Sequence, residues 1–171
     1  MQKQDRAEEG LRAISLRPAS LEDEPFLRQL FATTRADELA FMGWNENQKE
    51  GFIAMQFSAQ SRQYAMSYPQ ANHRIILSEE NPIGRMMVDS MDAAILLVDI
   101  ALLPEYRNAG IGTDLIQDLL KEAAAAGKAV RLHVLASSPA MRLYERLGFS
   151  QIGPDTAYLE MMWVPPVSRS C

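Results

Sequence analysis

The segment Arg107-Asn108-Ala109-Gly110-Ile111-Gly112-Thr113 lies between an apolar run, Ala94 to Leu103, and an amphipathic one, Leu115-Ile116-Gln117-Asp118-Leu119-Leu120. This order reads as strand, glycine turn, helix. A helix that starts in such a turn aims unpaired backbone N–H groups, and the positive end of its dipole, at one point in space. A phosphate is the natural occupant of that point. Gly110 and Gly112 leave the backbone open to close approach, and Arg107 adds a permanent charge that can fork onto phosphate oxygens.

The spacing excludes the two nucleotide loops usually considered. No Gly-Lys-Ser/Thr follows Gly110 or Gly112, and the three-glycine dinucleotide fingerprint is incomplete. A second block, Ser138-Pro139-Ala140-Met141-Arg142-Leu143-Tyr144-Glu145-Arg146-Leu147-Gly148-Phe149, reads as a short helix carrying a Tyr and ending in Leu-Gly-Phe. Arg-x-x-Gly-x-Gly between strand and helix, followed by this block, resembles the GNAT N-acetyltransferase superfamily. The resemblance is strong over residues 74–163 and only general over residues 14–73.

Length and composition are those of one ordinary globular domain: 171 residues, 47% hydrophobic and 23% charged. We divide the chain into a loose segment 1–12, a domain over residues 13–165 and a tail 166–171. The 17 basic and 22 acidic side chains leave a net charge of −5. That balance argues against general nucleic-acid binding and fits a cationic or amine partner better, although a local pocket can differ. The single Cys171 is the last residue, an incidental position for a thiol. The first residues, Met1 to Glu9, hold no apolar stretch of the kind a signal peptide needs. The longest apolar run, Ala93 to Leu103, is too short to cross a membrane and contains Asp99. A cytoplasmic protein with no membrane partner is expected.

Ile14 to Pro18 reads as a first strand, and Ser20-Leu21-Glu22-Asp23 as a capping box opening a helix to about Arg35. Asn45 opens a second helix to about Ser67, before Pro69. Met42-Gly43-Trp44 links the two. Arg74–Leu77 and Ile83–Val88 form a hairpin turned by Glu79-Glu80-Asn81-Pro82, and the long strand ends at Leu103. A third helix runs from near Gly110 to Gly127 with Ile111, Leu115, Leu119 and Ala123 on one face. Val130–Leu135 is a strand, Ser138 caps the fourth helix, and Tyr158–Val164 is the last strand. The order is β-α-α-β-β-β-α-β-α-β, an α/β (α+β) fold with a central mixed sheet and helices on both faces. The resemblance adds that the sheet is mostly antiparallel, and that Ile95–Leu103 and Val130–Leu135 splay into a V. The amide-bearing pantetheine arm of CoA would satisfy the strand groups exposed there.

The resemblance implies direct transfer of an acetyl group from acetyl-CoA, as co-substrate, to a primary amine. Such an enzyme must align the reactants, take the amine neutral, stabilise an oxyanion and protonate the departing thiolate. Ile100, Ala101, Leu102, Arg107, Asn108, Ala109, Gly110, Ile111, Gly112, Thr113, Ser138 and Tyr144 are the expected CoA contacts. Ser138 stands where many members have Asn, with a shorter reach. Tyr144 is the expected acid. Asp99 interrupts an apolar strand and is the candidate base or amine-binding carboxylate; strict alternation would instead put it on a solvated face, and a bulge would change the parity. Trp44 and Met42 are candidates for the acceptor pocket. Among Phe52, Met55, Phe57, Tyr64, Met66 and Tyr68 the pattern selects no clean stripe. His133 is more often a half-buried strand residue than a base, Glu105 a turn residue, and Arg142 an exposed helix residue. His73 and His133 lack acidic or thiol companions at ligand spacing, so no metal is expected.

The favoured acceptor is a small-molecule amine; a protein amine is the alternative. Three rivals remain: a catalytically silent CoA-binding regulatory or interaction module, a transferase for longer acyl groups, and a generic nucleotide-binding α/β domain. The run of consecutive strands argues against the last. A homodimer, common in the superfamily, would draw on Tyr158–Val164 or the Met-rich surface.

Overall fold

The computed structural model describes residues 13–167. Segment 1–12 and the end of the tail, with Cys171, lie outside the described residues. The chain runs β1 (Ile14–Pro18), α1 (Glu24–Thr34), α2 (Ala36–Ala40), α3 (Glu46–Ser67), β2 (Asn72–Ser78), β3 (Asn81–Ser90) and β4 (Ala94–Leu102). It continues with α4 (Ile111–Ala125), β5 (Ala129–Leu135), α5 (Ala140–Arg146), β6 (Ser150–Ile152) and β7 (Tyr158–Trp163).

Local chemistry explains most of these boundaries. The Asn45 side chain accepts from the Gln48 N–H while the Gln48 side chain accepts from the Asn45 N–H, a reciprocal cap that opens α3. Ahead of α1, the Ser20 N–H donates to Asp23, and Arg17 clamps the same carboxylate through both terminal nitrogens at 2.8 and 2.7 Å. The hairpin turn is tighter than the sequence suggested. It consists of Glu79 and Glu80 alone, both at positive φ, and Asn81 and Pro82 already belong to β3. Positive φ at both positions matches the right-handed twist of the flanking strands.

Two elements go beyond the expected order. Leu39, buried in a core, anchors the extra helix α2 directly after α1. The three-residue β6 pairs with Met162–Glu160 of β7, and a strand so short has no readable period.

The sheet order is β1-β2-β3-β4-β5-β7-β6. Every pairing is antiparallel except β4 with β5. That parallel pairing covers only Ala94–Leu97 against Ala129–Leu132. Beyond it β4 stays with β3 as far as Leu102, and β5 stays with β7 as far as Leu135. The two strands therefore diverge, as the V-shaped splay requires.

A bulge sits at the vertex. Met87 faces Asp99 and Val88 faces Leu97, so Val98 is the extra residue. Ile95 and Leu97 point into the core beneath α4, and strict alternation would send Asp99 there as well. The bulge turns Asp99 to the other face instead.

Each face has its own core. One packs Ile116, Leu119, Leu120 and Ala123 of α4, with Tyr144 and Phe149, against β3, β4, β5 and β7. The other packs Leu27, Phe31, Leu39, Ile53 and Phe57 of the first three helices against Ile75. The expected amphipathic face of the α4 segment is present, with Ile116 and Leu120 added to it.

Candidate active site

The glycine turn ends at Gly110, whose φ of +85° is the left-handed conformation that favours glycine. The first bond leading into the α4 ladder runs from the Asp114 N–H to the Gly110 carbonyl. The N–H groups of Ile111, Gly112 and Thr113 therefore precede it. A Cβ built on Gly110 or Gly112 meets no atom within 4 Å, so the approach to these groups is open. Asn108 also has positive φ, and Ala109 beside it is exposed. Arg107 turns the other way. Its Nε donates to the Leu102 carbonyl at 2.9 Å and its Nη2 to Thr33 Oγ1 at 3.3 Å, tying the end of β4 to α1. With this rotamer the guanidinium braces the splay rather than reaching over the turn.

Two adjoining cavities lie on the α1–α3 side. The smaller, about 340 Å³, is bordered by Arg85, Asp99, Ile100, Ala101, Leu135 and Ser138, and sits at the mouth of the V. The larger, about 490 Å³, is bordered by Gln56, Gln60, Gln63, Tyr64, Tyr68 and His133. Phe31, Arg35, Gln60 and Tyr158 border both and form the seam between them.

Asp99 is held at the smaller cavity by Arg85, a buried side chain. Arg85 Nε donates to Asp99 Oδ2 at 2.8 Å and Arg85 Nη2 donates to the same oxygen. Arg85 Nη2 also donates to Gln60 Oε1 at 3.1 Å, and the guanidinium lies 5.4 Å from the Tyr64 ring centre. A buried cation is costly without such partners. Burial, and then the charge of Asp99, push the Tyr64 phenol up to about 12.

Tyr144 is buried under the sheet and packs edge-on against Phe149 at 5.7 Å. Burial, with a smaller contribution from the Asp99 charge, raises its phenol to about 12, so it keeps its proton at neutral pH. Ser138 Oγ accepts from the Ala140 N–H at 3.2 Å, the expected cap, while bordering the smaller cavity.

The fold thus gathers Asp99, Ile100, Ala101 and Ser138 at one cavity and leaves the turn open above α4. It does not bring Trp44, Met42 or Tyr144 there, Tyr144 lying in the core on the α4 side. Trp44 packs edge-on against Phe52 at 5.1 Å in the core of the first three helices, and Met42 is exposed. Burying the indole against α3 is what fixes the link between helices. Of the α3 aromatics and methionines left open, Tyr64 and Tyr68 border the larger cavity, Phe52 and Phe57 pack in the core, and Met55 and Met66 are exposed.

Sequence reasoning missed Arg35, Arg85 and the row Gln56, Gln60, Gln63. A single Arg in the apolar hairpin strand, and amides at helical spacing, were the available signals.

Similarities to known proteins agree with this geometry. Residues 69–151 match the family model described as an acetyltransferase (GNAT) domain. Over 59 residues the chain is 37% identical to an N-alpha-acetyltransferase of Sulfurisphaera tokodaii, covering 33% of this chain and 35% of that protein. Over 46 residues it is 52% identical to the cysteine-rich protein 2-binding protein of Homo sapiens, covering 27% of this chain and 6% of that protein. The chain thus spans about a third or less of the length of these curated relatives. In fold it is similar to the PaiA N-acetyltransferase of Thermoplasma acidophilum, solved in complex with coenzyme A. The TM-score is 0.67 at 20% identity, covering 89% of this chain and 99% of that one. A sheet that opens between β4 and β5, a glycine turn opening α4 and a domain model matching residues 69–151 together give this chain the GNAT acetyltransferase fold.

Proposed function

We propose that the protein transfers the acetyl group of acetyl-CoA directly to the primary amine of a small molecule. What supports this is the divergence of β4 and β5 with a cavity beside it, together with the open N-terminus of the helix that follows β4.

The turn Arg107–Thr113 would hold the pyrophosphate through backbone N–H groups. Ile100, Ala101 and Leu102, free of β5, would pair with the pantetheine amides as a neighbouring strand would. Ser138 borders the same cavity and is assigned a CoA contact. Bound acetyl-CoA supplies a thioester already reactive toward amines. In the reaction an N–C bond forms and a C–S bond breaks, so the amine sheds a proton and the sulfur gains one. Tyr144, protonated at neutral pH, is assigned the second transfer. Asp99 is assigned the amine end. Its Oδ2 is taken by Arg85, which leaves Oδ1 to hold an ammonium or to pass its proton to water. His133 borders the larger cavity and offers a second hydrogen-bonding side chain to the acceptor.

Calorimetric titration with acetyl-CoA, beside a Gly110→Glu variant that places a carboxylate in the turn, tests the site. Micromolar binding in the parent and none in the folded variant is expected, followed by thiol release on a panel of small amines. No binding in the parent refutes the reading, and binding without turnover on any amine supports a silent CoA-binding module. A protein acceptor is the second reading, favoured by the likeness to the N-alpha-acetyltransferase. Faster turnover of peptides with free N-termini than of any small amine would establish it.

A further inference from the structure

The charge around the two cavities runs against the charge of the whole chain. Among the described residues bordering the larger cavity there is no carboxylate, and Arg35 is its permanent cation. The smaller cavity adds one acid, Asp99, whose charge Arg85 already offsets. The cation left over is Arg35, at the turn between α1 and α2 and on the seam of both cavities. Its guanidinium lies over the Phe31 ring, 5.2 Å from the ring centre. Its one acidic contact among the described residues, Nη1 to Glu38 Oε1 at 3.4 Å, is long, and Glu38 is largely exposed. Solvent screens a pair of this kind. Arg35 Nε is buried with no hydrogen-bond partner among the described residues, and so is Gln56 Oε1 on the facing helix. Buried polar atoms are normally paired. Both atoms are closed to solvent, so what the cleft presents to a small molecule is the partly exposed remainder of the Arg35 guanidinium, which borders both cavities.

We infer that the acceptor is a small primary amine that also carries an anionic group, a carboxylate or a phosphate, bound by Arg35. This rests on the acetyltransferase reading above and narrows its substrate class. Because Arg35 borders the mouth of the V as well as the larger cavity, the anion sits only a few bonds from the amine. Amino acids and short aminoalkyl phosphates fit that spacing. A polyamine does not, since nothing in the larger cavity balances a second positive charge. Gln56 and Gln63 complete the anion's surroundings or take the remaining polar groups of the acceptor.

The test compares matched amines that differ only in the anion: phenylalanine with phenethylamine, β-alanine and phosphoethanolamine with ethanolamine, and spermidine as the cationic extreme. Thiol release from acetyl-CoA is the readout. The anionic member of each pair is expected to have at least a tenfold higher kcat/KM, the scale of one charge-assisted hydrogen bond. Arg35→Gln should erase that preference through KM, Arg35→Lys should keep part of it, and acetyl-CoA affinity should be unchanged in both. Preference for carboxylate over phosphate, or the reverse, identifies the anion. Equal turnover within pairs, or faster turnover of spermidine, overturns the inference while leaving the acetyltransferase reading intact. Loss of acetyl-CoA affinity in Arg35→Gln also overturns it, by assigning Arg35 to the cofactor. If acetyl-CoA binds and no amine reacts, the same pairs are titrated into CoA-saturated protein. Tighter binding of the anionic members, lost in Arg35→Gln, sustains the anion site, and equal binding ends it.

Discussion

Gly84 and Gly51 make a paired prediction in which one substitution, Gly→Ala, has opposite signs. Gly84 lies in β3 between Ile76 of β2 and Leu102 of β4. A Cβ there would stand 2.3 Å from the Ala101 carbonyl oxygen, 2.8 Å from Leu102 Cδ2 and 3.2 Å from Ile76 Cδ1. The two side-chain atoms can rotate away. The carbonyl belongs to the backbone of β4 and can retreat only if β3 and β4 separate locally. Overpacking of this kind costs about 1–3 kcal/mol, and a backbone obstacle puts Gly84→Ala near the upper end. Alanine returns about 0.5 kcal/mol by restricting the unfolded chain, so the net loss is about 2–3 kcal/mol. For a domain of this size that lowers Tm by roughly 5–10 °C. Gly51 lies inside α3, and its Cβ would meet nothing within 4 Å. Gly51→Ala should therefore stabilise by about 1 kcal/mol. Urea denaturation of the full chain, with m-values compared to check that the transitions match, measures both. Because Ala101 is on the open arm of β4, Gly84→Ala should also weaken acetyl-CoA binding, while Gly51→Ala should leave it unchanged. A Gly84→Ala protein within about 0.5 kcal/mol of the parent would refute the reasoning, since β4 would then be free to move.

Two further outcomes concern the charged and phenolic groups. Tyr144→Phe keeps the ring packing against Phe149 and removes the proton donor, so kcat should fall about a hundredfold with acetyl-CoA affinity retained; an unchanged kcat at saturating acetyl-CoA would remove Tyr144 from the chemistry. Asp23, hydrogen-bonded to Arg17 and to the Ser20 N–H, is held at about 2 against an ordinary 3.8. A lowered carboxyl stabilises the fold above the unfolded value, and that stability is lost as pH falls through the folded one. The urea midpoint should thus drop between about pH 4 and pH 2 in the parent more than in Asp23→Asn, and parallel profiles would show that the clamp contributes nothing.

The parts of this architecture that were legible in the sequence are those set by local chemistry. Gly110 could be placed because a helix entered through a left-handed residue selects glycine, and Asn45 with Gln48 because a capping box needs both partners at that spacing. The core face of α4 could be read from helical period alone. Trp44 was misplaced for the opposite reason. An indole in a bendable link can line a pocket or fill a core, and only the position of Phe52 decides between them. Arg35 was hidden because its place depends on two distant elements, α3 and the open arm of β4, with which it borders the cavities only after folding. The amides of α3 were hidden because they interrupt its apolar residues on the side that faces a cavity, where a helix on a solid core would be apolar.

The bulge at Val98 belongs to the same class, and it links the two halves of the candidate site. Pairing of β4 with β5 stops at Leu97, and the extra residue against β3 comes next. An extra residue increases the local twist of its strand. Since β5 remains bound to β7 through Leu135, and β4 to β3 through Leu102, a twist at this point cannot spread evenly. The sheet must open between β4 and β5. Val98 also reverses the parity of the rest of β4, moving Asp99 from the α4 core to the face where Arg85, Gln60 and Arg35 border the cavities. A regular β4 would close the V and bury an aspartate under α4 together. The opening and its carboxylate are therefore consequences of one backbone irregularity, which hydrophobic period cannot reveal because one extra residue only shifts its phase.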